Sequence, residues 1–365
     1  MQRRRLVLVR EAKLASLLAD SAGRRLEASG VLGGEGRFYV IFDNAPDIGR
    51  IGPELSAGAA GNGLIGQDRG RRSGFEDIAH DAAAGRFFVL VEARARRRGF
   101  MAEVQEYDQD FAYLGRAWLD FPLDGPNKGL EGLTCVRRQD RSYLLGLCEG
   151  NRCRDGEEGR RPGGGRIQVF ERGWRHWDRV ATIRLPAALP FEDFSSLAVA
   201  GDRMAVVSQE SSALWVGRLQ PSGWELADRG AVWGFPPDPE GRTVYCNVEG
   251  VSWVSTDRVV VVPGRRGIGS GEAERPTGRV LPSKGPVDPC LHHPRPRLSP
   301  RWWGRFQRCM RCSSAGSTAT MRCCGSPGSA STRRGWPRRS TPTTPTSSSG
   351  SSASRPPPRT GRSST

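Results

Sequence analysis

Lysine is nearly missing from this chain. Three lysines (Lys13, Lys128, Lys284) stand beside 52 arginines in 365 residues, the bias of a strongly GC-rich coding sequence. Cysteine is scarce before residue 267: Cys135, Cys148, Cys153 and Cys246 are too few for a disulfide scaffold over that length. No apolar run approaches the ~20 residues of a membrane helix. The start carries only Leu6–Val9 as an apolar stretch before charge returns, too short for a secretory core. A soluble, cytoplasmic protein without a membrane partner is therefore expected, or an extracellular one if the start codon is misassigned. Sustained helical periodicity is lacking too; only Glu11–Leu18 reads as a short helix.

Acidic residues run out near the C-terminus. The net charge is +16, but from residue 267 onward 17 basic residues face Glu272, Glu274 and Asp288. The first 266 residues hold 38 basic and 36 acidic side chains and are almost neutral. The high pI thus gives no ground for a specific nucleic-acid partner. Residues 289–365 contain no Asp, Glu, Lys, Tyr, Val or Ile. Such a segment cannot offset its chain entropy by burial and is expected to be disordered. Either it is a basic tail with a biological role or the gene is read out of frame. The abrupt loss of strand residues and acids favours the second.

What is present is a repeat, set among 47 glycines and 26 prolines. Each copy opens with a small or acidic pair and an aliphatic residue: Ser29-Gly30-Val31, Glu76-Asp77-Ile78, Glu131-Gly132-Leu133, Ser195-Ser196-Leu197 and Glu249-Gly250-Val251. The starts lie 47, 55, 64 and 54 residues apart. A very apolar strand follows in each: Phe38–Phe42, Phe87–Val91, Tyr143–Leu147, Met204–Val207 and Val259–Val262. Three copies add two further strands, ending at Tyr113–Trp118, Trp177–Ile183 and Trp224–Leu226. Four short strands per ~55 residues is the arithmetic of a propeller blade. The expected fold is an all-β propeller of about five to six four-stranded blades over 25–266. An N-terminal strand and short helix precede it (1–24), with Leu6–Val9 available to close the ring, and the disordered basic tail (267–365) follows. The last blade lacks its outer pair, which would leave an open edge.

In a propeller the innermost strands line the channel, so equivalent residues form rings. The repeat openings put Glu76, Glu131 and Glu249 at one level, with Asp77 beside the first and Glu192 and Asp193 just ahead of the fourth copy. A secondary ring comes from the ends of the apolar strands: Asp43, Glu92, Glu149 and Glu210. Converging carboxylates repel unless a cation sits among them or some hold protons. Oxygen-only donors suit Ca²⁺ first, then Mg²⁺ or Mn²⁺. The alternative is purely architectural, with each carboxylate accepting backbone N–H bonds that lock neighbouring blades. A small anionic or polar ligand is the expected partner at such a mouth; oligomeric state is not legible.

The strings GFEDIAHD, NKGLEGLTCV, FEDFSSLAV-x₆-VVSQES and NVEGVSWV-x₄-VVVV resemble the phytase-like, esterase-like and SdiA-regulated bacterial propellers over roughly residues 25–266. That resemblance implies a Ca²⁺-dependent phosphoester or ester hydrolase, with Glu76, Asp77, Glu131, Glu192 and Glu249 as the matching metal positions. Catalytic residues cannot be assigned from it. The departures are Ser195-Ser196 in the fourth copy, Pro263-Gly264 where a strand-end acid would stand, and no basic cluster beyond Lys128 and Arg137. A non-catalytic ligand-binding or interaction propeller, or an inactive product of a degraded gene, fits the same residues.

Other motifs carry less. Arg161–Arg166 lacks the Lys-Ser/Thr of a phosphate loop and precedes a strand. Cys309, Cys312, Cys323 and Cys324 with His292 and His293 mimic zinc spacing inside the aberrant tail. His80 and His176 read as surface histidines, the tryptophans as inter-blade packing, and Arg94–Arg98 as a solvated loop. If the tail is out of frame, a chain with the last blade restored should melt higher than the encoded one. Equal melting temperatures would refute that, and the nucleotide sequence around codon 266 tests it directly.

Overall fold

The computed structural model describes residues 4–18, 24–34, 36–65, 74–97, 99–125, 129–264 and 307–311. All belong to the first of two compact units, residues 1–324. The chain opens with β1 (Arg4–Arg5), β2 (Val7–Ala12) and the four-residue helix α1 (Leu14–Leu17). Blade one follows as β3 (Ala28–Gly34), β4 (Arg37–Phe42), β5 (Ala45–Ile51) and β6 (Gly63–Ile65). Blade two is β7 (Phe75–Asp81), β8 (Arg86–Arg96), β9 (Gly99–Tyr107) and β10 (Tyr113–Asp120). Blade three holds β11 (Leu130–Arg138), β12 (Arg141–Cys148), β13 (Arg166–Arg172) and β14 (His176–Arg184), with helix α2 (Gly156–Arg160) between its middle strands. Blade four is β15 (Ser196–Ala200), β16 (Arg203–Ser208), β17 (Ala213–Arg218) and β18 (Ala231–Gly234).

Blade five combines β19 (Val248–Ser255), β20 (Arg258–Pro263), β21 (Gln307–Arg311) and the N-terminal β2, in that order. The outer pair that the repeat analysis found missing is thus filled from two distant places. The free edge of β20 needs backbone partners, and pairing them requires no particular side chains. Composition therefore could not locate Gln307–Arg311, which the sequence reading assigned to disordered tail. The rest of that tail, with His292, His293, Cys323 and Cys324, lies outside the described residues. The outer strand of blade four also differs from expectation. It is Ala231–Gly234, while Leu226 makes only an isolated bridge to Leu219. Trp224 instead lies under the Arg138 guanidinium, 4.0 Å from the ring centroid.

Inner strands β3, β7, β11, β15 and β19 pack in that cyclic order, and β19 returns to β3. The ring has five blades. Each interface owns an apolar cluster: Tyr39, Ile41, Phe87 and Val89 between blades one and two, for example, and Val31, Val40, Val260 and Val262 between five and one. Every second strand is therefore covered on both faces, which is why FYVIF, FFVLV and VVVV run without polar alternation. Blades two and three share one eight-stranded sheet because β10 and β14 pair in parallel at the rim.

The axis is crossed by one carboxylate. Asp77, 1 % exposed, takes the Ile78 N–H on Oδ1 at 2.8 Å, and the Leu133 N–H and Ser196 hydroxyl on Oδ2 at 2.9 and 3.1 Å. The Leu197 amide adds a fourth donor. Ser196 Oγ in turn accepts the Val251 N–H at 3.0 Å. Blades two, three, four and five thus meet at two side chains. At the equivalent position of blade one, a Cβ on Gly30 would fall 2.8 Å from Asp77 Oδ1. On Gly250 it would fall 2.8 Å from Val31 N. Glycine there lets the inner strands close around the Asp77 carboxylate. Asp77→Ala should cost about 3 kcal/mol in urea unfolding, because it removes the acceptor of three backbone amides and a hydroxyl. A change under about 1 kcal/mol would show that Asp77 does not hold the ring.

Candidate functional site: the acidic channel mouth

A bulge interrupts four of the inner strands at the repeat opening. The register slips between Ala28 and Gly30, Phe75 and Ile78, Leu130 and Gly132, and Val248 and Gly250. A bulge re-aims the side chain it carries. Around the axis the five opening residues are Ser29, Glu76, Glu131, Ser195 and Glu249. The two serines turn sideways. Ser29 donates to the Phe75 carbonyl, and Ser195 donates to the Val248 carbonyl at 2.7 Å, so each ties its blade to the next.

The three glutamates meet at one mouth. Glu76 and Glu131 are hydrogen-bonded through their side chains. Burial pushes Glu76 up to about 8, and the charges of Asp43, Glu92 and Glu249 push the same way. Glu131 is raised well above the carboxylate range by burial and then by Glu76, Glu149 and Glu249. Burial also lifts Glu249 to about 8, against a 2.6 Å hydrogen bond from Asn247 Nδ2. A Cβ at Gly264 would overlap the Glu249 carboxylate. The glycine that replaces a strand-end acid in blade five therefore makes room for this glutamate.

The secondary ring divides. Asp43 and Glu92, both exposed at the rim, act on Glu76, while Glu149 acts on Glu131. Glu210 lies further out beside Asp193. Asp193 is buried, accepts from Ser208 Oγ and from the Glu210 N–H at 3.1 Å, and is lifted to about 7 by burial first and then by Glu210 and Glu149. A cavity of about 240 Å³ opens here, with Glu149, Asp193, Glu192, Arg154 and Arg160 in its wall. The loop beneath is fixed by Asn151, which is fully buried. Its Nδ2 donates to the carbonyls of Gly159, Phe191 and Glu192, and its Oδ1 accepts the Gly164 N–H. A Cys148–Cys153 disulfide clips the same loop. The glycine run Gly163–Gly165 is the connector packed behind it.

Of the five expected metal positions, the structure brings together Glu76, Glu131 and Glu249. Asp77 is displaced from the mouth because its carboxylate is filled by backbone and hydroxyl donors; it takes the architectural role. Glu192 is exposed on the outer cavity wall and does not join the trio. Its neighbour Asp193 is the residue that turns inward. Arg137 stands six residues along β11 from Glu131, about 20 Å away at the opposite end of the channel. Lys128 lies outside the described residues. Asp193 was legible in sequence only as the acid beside Glu192 ahead of the fourth copy, and Arg154 and Arg160 went unnoticed.

The fold and this mouth define the chain as a five-bladed β-propeller with a carboxylate-lined channel opening. No family model matches it, and no curated protein does. It is similar in structure to Myxococcus xanthus glutaminyl cyclase, at 13 % identity and a TM-score of 0.43 over 72 % of this chain and 93 % of that one. It is also similar to the PQQ-bound aldose sugar dehydrogenase of Streptomyces coelicolor, at 14 % identity and a TM-score of 0.38, covering 71 % and 92 %. Xylan beta-1,4-xylosidase from Bacillus halodurans aligns at 11 % and 0.41, covering 67 % of this chain and 51 % of that one. Likeness at this level carries no argument about chemistry.

The raised carboxyls make stability depend on pH. Glu76 and Glu249 titrate near 8 in the folded chain, Asp193 near 7, against 4.5 and 3.8 for the free side chains. Between those values the native state holds more protons than the unfolded one, so stability falls as pH rises. Metal-free protein should melt higher at pH 5.5 than at pH 8.5, and Glu76→Gln should flatten that slope. A melting temperature that rises over the same interval would contradict the assignment.

Proposed function

We propose that the acidic mouth holds a divalent cation, Ca²⁺ before Mg²⁺ or Mn²⁺, on Glu76, Glu131 and Glu249, and that phosphoester or ester hydrolysis is the chemistry it serves. The observation that carries this reading is the convergence of three glutamates from three blades. The charges that act most strongly on Glu76 are themselves acidic. Oxygen-only donors with raised proton affinity fit a hard cation, which would replace the shared protons. Bound there, the ion would neutralise phosphate charge and lower the pKa of a water.

The chain's own residues would do the rest. Arg154 and Arg160 are placed to hold an anionic group in the adjoining cavity. Asp193, near 7, can exchange a proton at neutral pH. This is the activity that the phytase-like and esterase-like resemblance implies. A binding propeller without turnover is favoured by a different observation: Glu76 and Glu131 bond to each other, so the mouth can satisfy itself with a proton. Among the described residues no helix is long and apolar enough to cross a membrane. The Cys148–Cys153 bond supports an oxidising compartment over the cytoplasm.

At pH 8, millimolar Ca²⁺ should raise the melting temperature by several degrees, roughly 2–4 °C per kcal/mol of binding linkage. Glu76→Gln and Glu131→Gln should remove the effect. Turnover of p-nitrophenyl phosphate or p-nitrophenyl acetate that needs Ca²⁺ supports the hydrolase. A Ca²⁺ shift without turnover of either ester leaves the binding module, and no shift with Ca²⁺, Mg²⁺ or Mn²⁺ rejects the metal altogether.

A further inference from the structure

The rim seam between blades two and three places a second, chemically different donor set far along the strands from the channel. There β10 and β14 pair in parallel over three residues only: Trp118 with His176, Leu119 with Trp177, and Asp120 with Asp178. Alternation along a strand sends Leu119 and Trp177 inward, 0 % and 2 % exposed. It therefore sends His176, Asp178 and Asp120 outward on one face. Asp120 and Asp178 are exposed and His176 is half-buried. One donor atom from each lies within 4.8 Å of the others. Nε2 of His176 is 2.8 Å from Asp178 Oδ1.

The seam sets two carboxylates side by side, with Asp120 opposite Asp178 in the parallel register. Among the described residues no arginine forms an ion pair with either aspartate. The nearby Arg172 is bonded to Glu106, and Arg179 lies over the Phe121 ring. The hairpin also presets one ligand. A Cβ at Gly173 would overlap Asp178 Oδ2, and the Gly173 N–H closes the turn on the His176 carbonyl at 2.9 Å. Glycine at 173 thus lets the Asp178 carboxylate fold back beside the imidazole.

We propose that Asp120, His176 and Asp178 form a transition-metal site, with Zn²⁺ as its ion, that clips the outer strands of blades two and three together. An imidazole with two carboxylates favours Zn²⁺ over the hard cations suited to the all-oxygen mouth. Tetrahedral ligands at ~2.0–2.1 Å from zinc stand about 3.3 Å apart, so small side-chain rotations from the present spacing complete the set. The fourth position faces solvent and takes water. Sequence alone hid this site: His176 and Asp178 are 56 and 58 residues from Asp120, and only the parallel seam makes them neighbours.

The test is Zn²⁺ and Co²⁺ titration of the full chain, because the tail cysteines could also take up zinc. Wild-type protein should bind one equivalent more than His176→Ala and Asp120→Asn. Saturation of that equivalent should raise the melting temperature by about 3 °C at tenfold excess over the dissociation constant. With Co²⁺ this equivalent should give ligand-field bands without a thiolate charge-transfer band. Glu76→Gln should keep it, which separates the seam from the channel mouth. If His176→Ala or Asp120→Asn misfolds by circular dichroism, Asp178→Asn is the substitute variant. Equal stoichiometry in the wild type and the folded seam variants, a thiolate band on the extra equivalent, or its loss in Glu76→Gln would each overturn the proposal.

Discussion

Five wedge-shaped sheets can close around an axis only if their inner strands come close enough to touch, and touching strands bury amides that must find acceptors. Asp77 supplies that acceptor. Its two oxygens gather donors from its own blade and from the next two, and Ser196 passes the connection to blade five. Small residues at the same level elsewhere, Gly30, Gly132 and Gly250, leave the space in which one carboxylate can reach so far. The remaining features of the molecule are arranged around this contact. The inter-blade apolar clusters add the bulk of burial but are non-directional, whereas the Asp77 bonds set the register in which the blades meet.

The mouth follows from that register. Once Asp77, Gly132 and Gly250 face the axis, the glutamates before them sit on bulges and turn toward the channel opening. In the other two blades the opening residues are serines that bond the neighbouring strand. A ring built this way concentrates negative charge where burial already disfavours it. The folded chain responds by raising proton affinity, with Glu76 and Glu131 hydrogen-bonded to each other. Proton binding and the proposed cation binding would draw on the same electrostatic imbalance.

Much of the architecture was legible because burial on both faces leaves an unmistakable run of apolar β residues, as in Phe87–Val91 and Val259–Val262. The repeat openings were legible because the axis tolerates so few residue types. The roles of neighbouring acids were not. Glu76 and Asp77 are adjacent in sequence, yet one lines the mouth and the other is sealed by amides, because successive strand residues face opposite ways and a bulge resets the count. A place just ahead of the fourth copy suggested Glu192 as a member of the ring. In the fold it precedes β15 instead of lying on it, and its neighbour Asp193 is the buried one. Trp224–Leu226 had the composition of an outer strand, but the edge of β17 was taken by Ala231–Gly234.

Local patterning by itself determined the strand content, the repeat and the acids at its openings. These depend on side-chain periodicity and turn residues, which are properties of short stretches. Only tertiary structure decided that there are five blades and that residues 7–12 and 307–311 complete the last one. It alone decided which carboxylate holds the ring, and that His176 and Asp178 come beside Asp120 at a parallel seam. Those outcomes rest on backbone pairing between segments far apart in the chain, and an edge strand recruits its partner by exposed N–H and C=O groups that every residue carries alike.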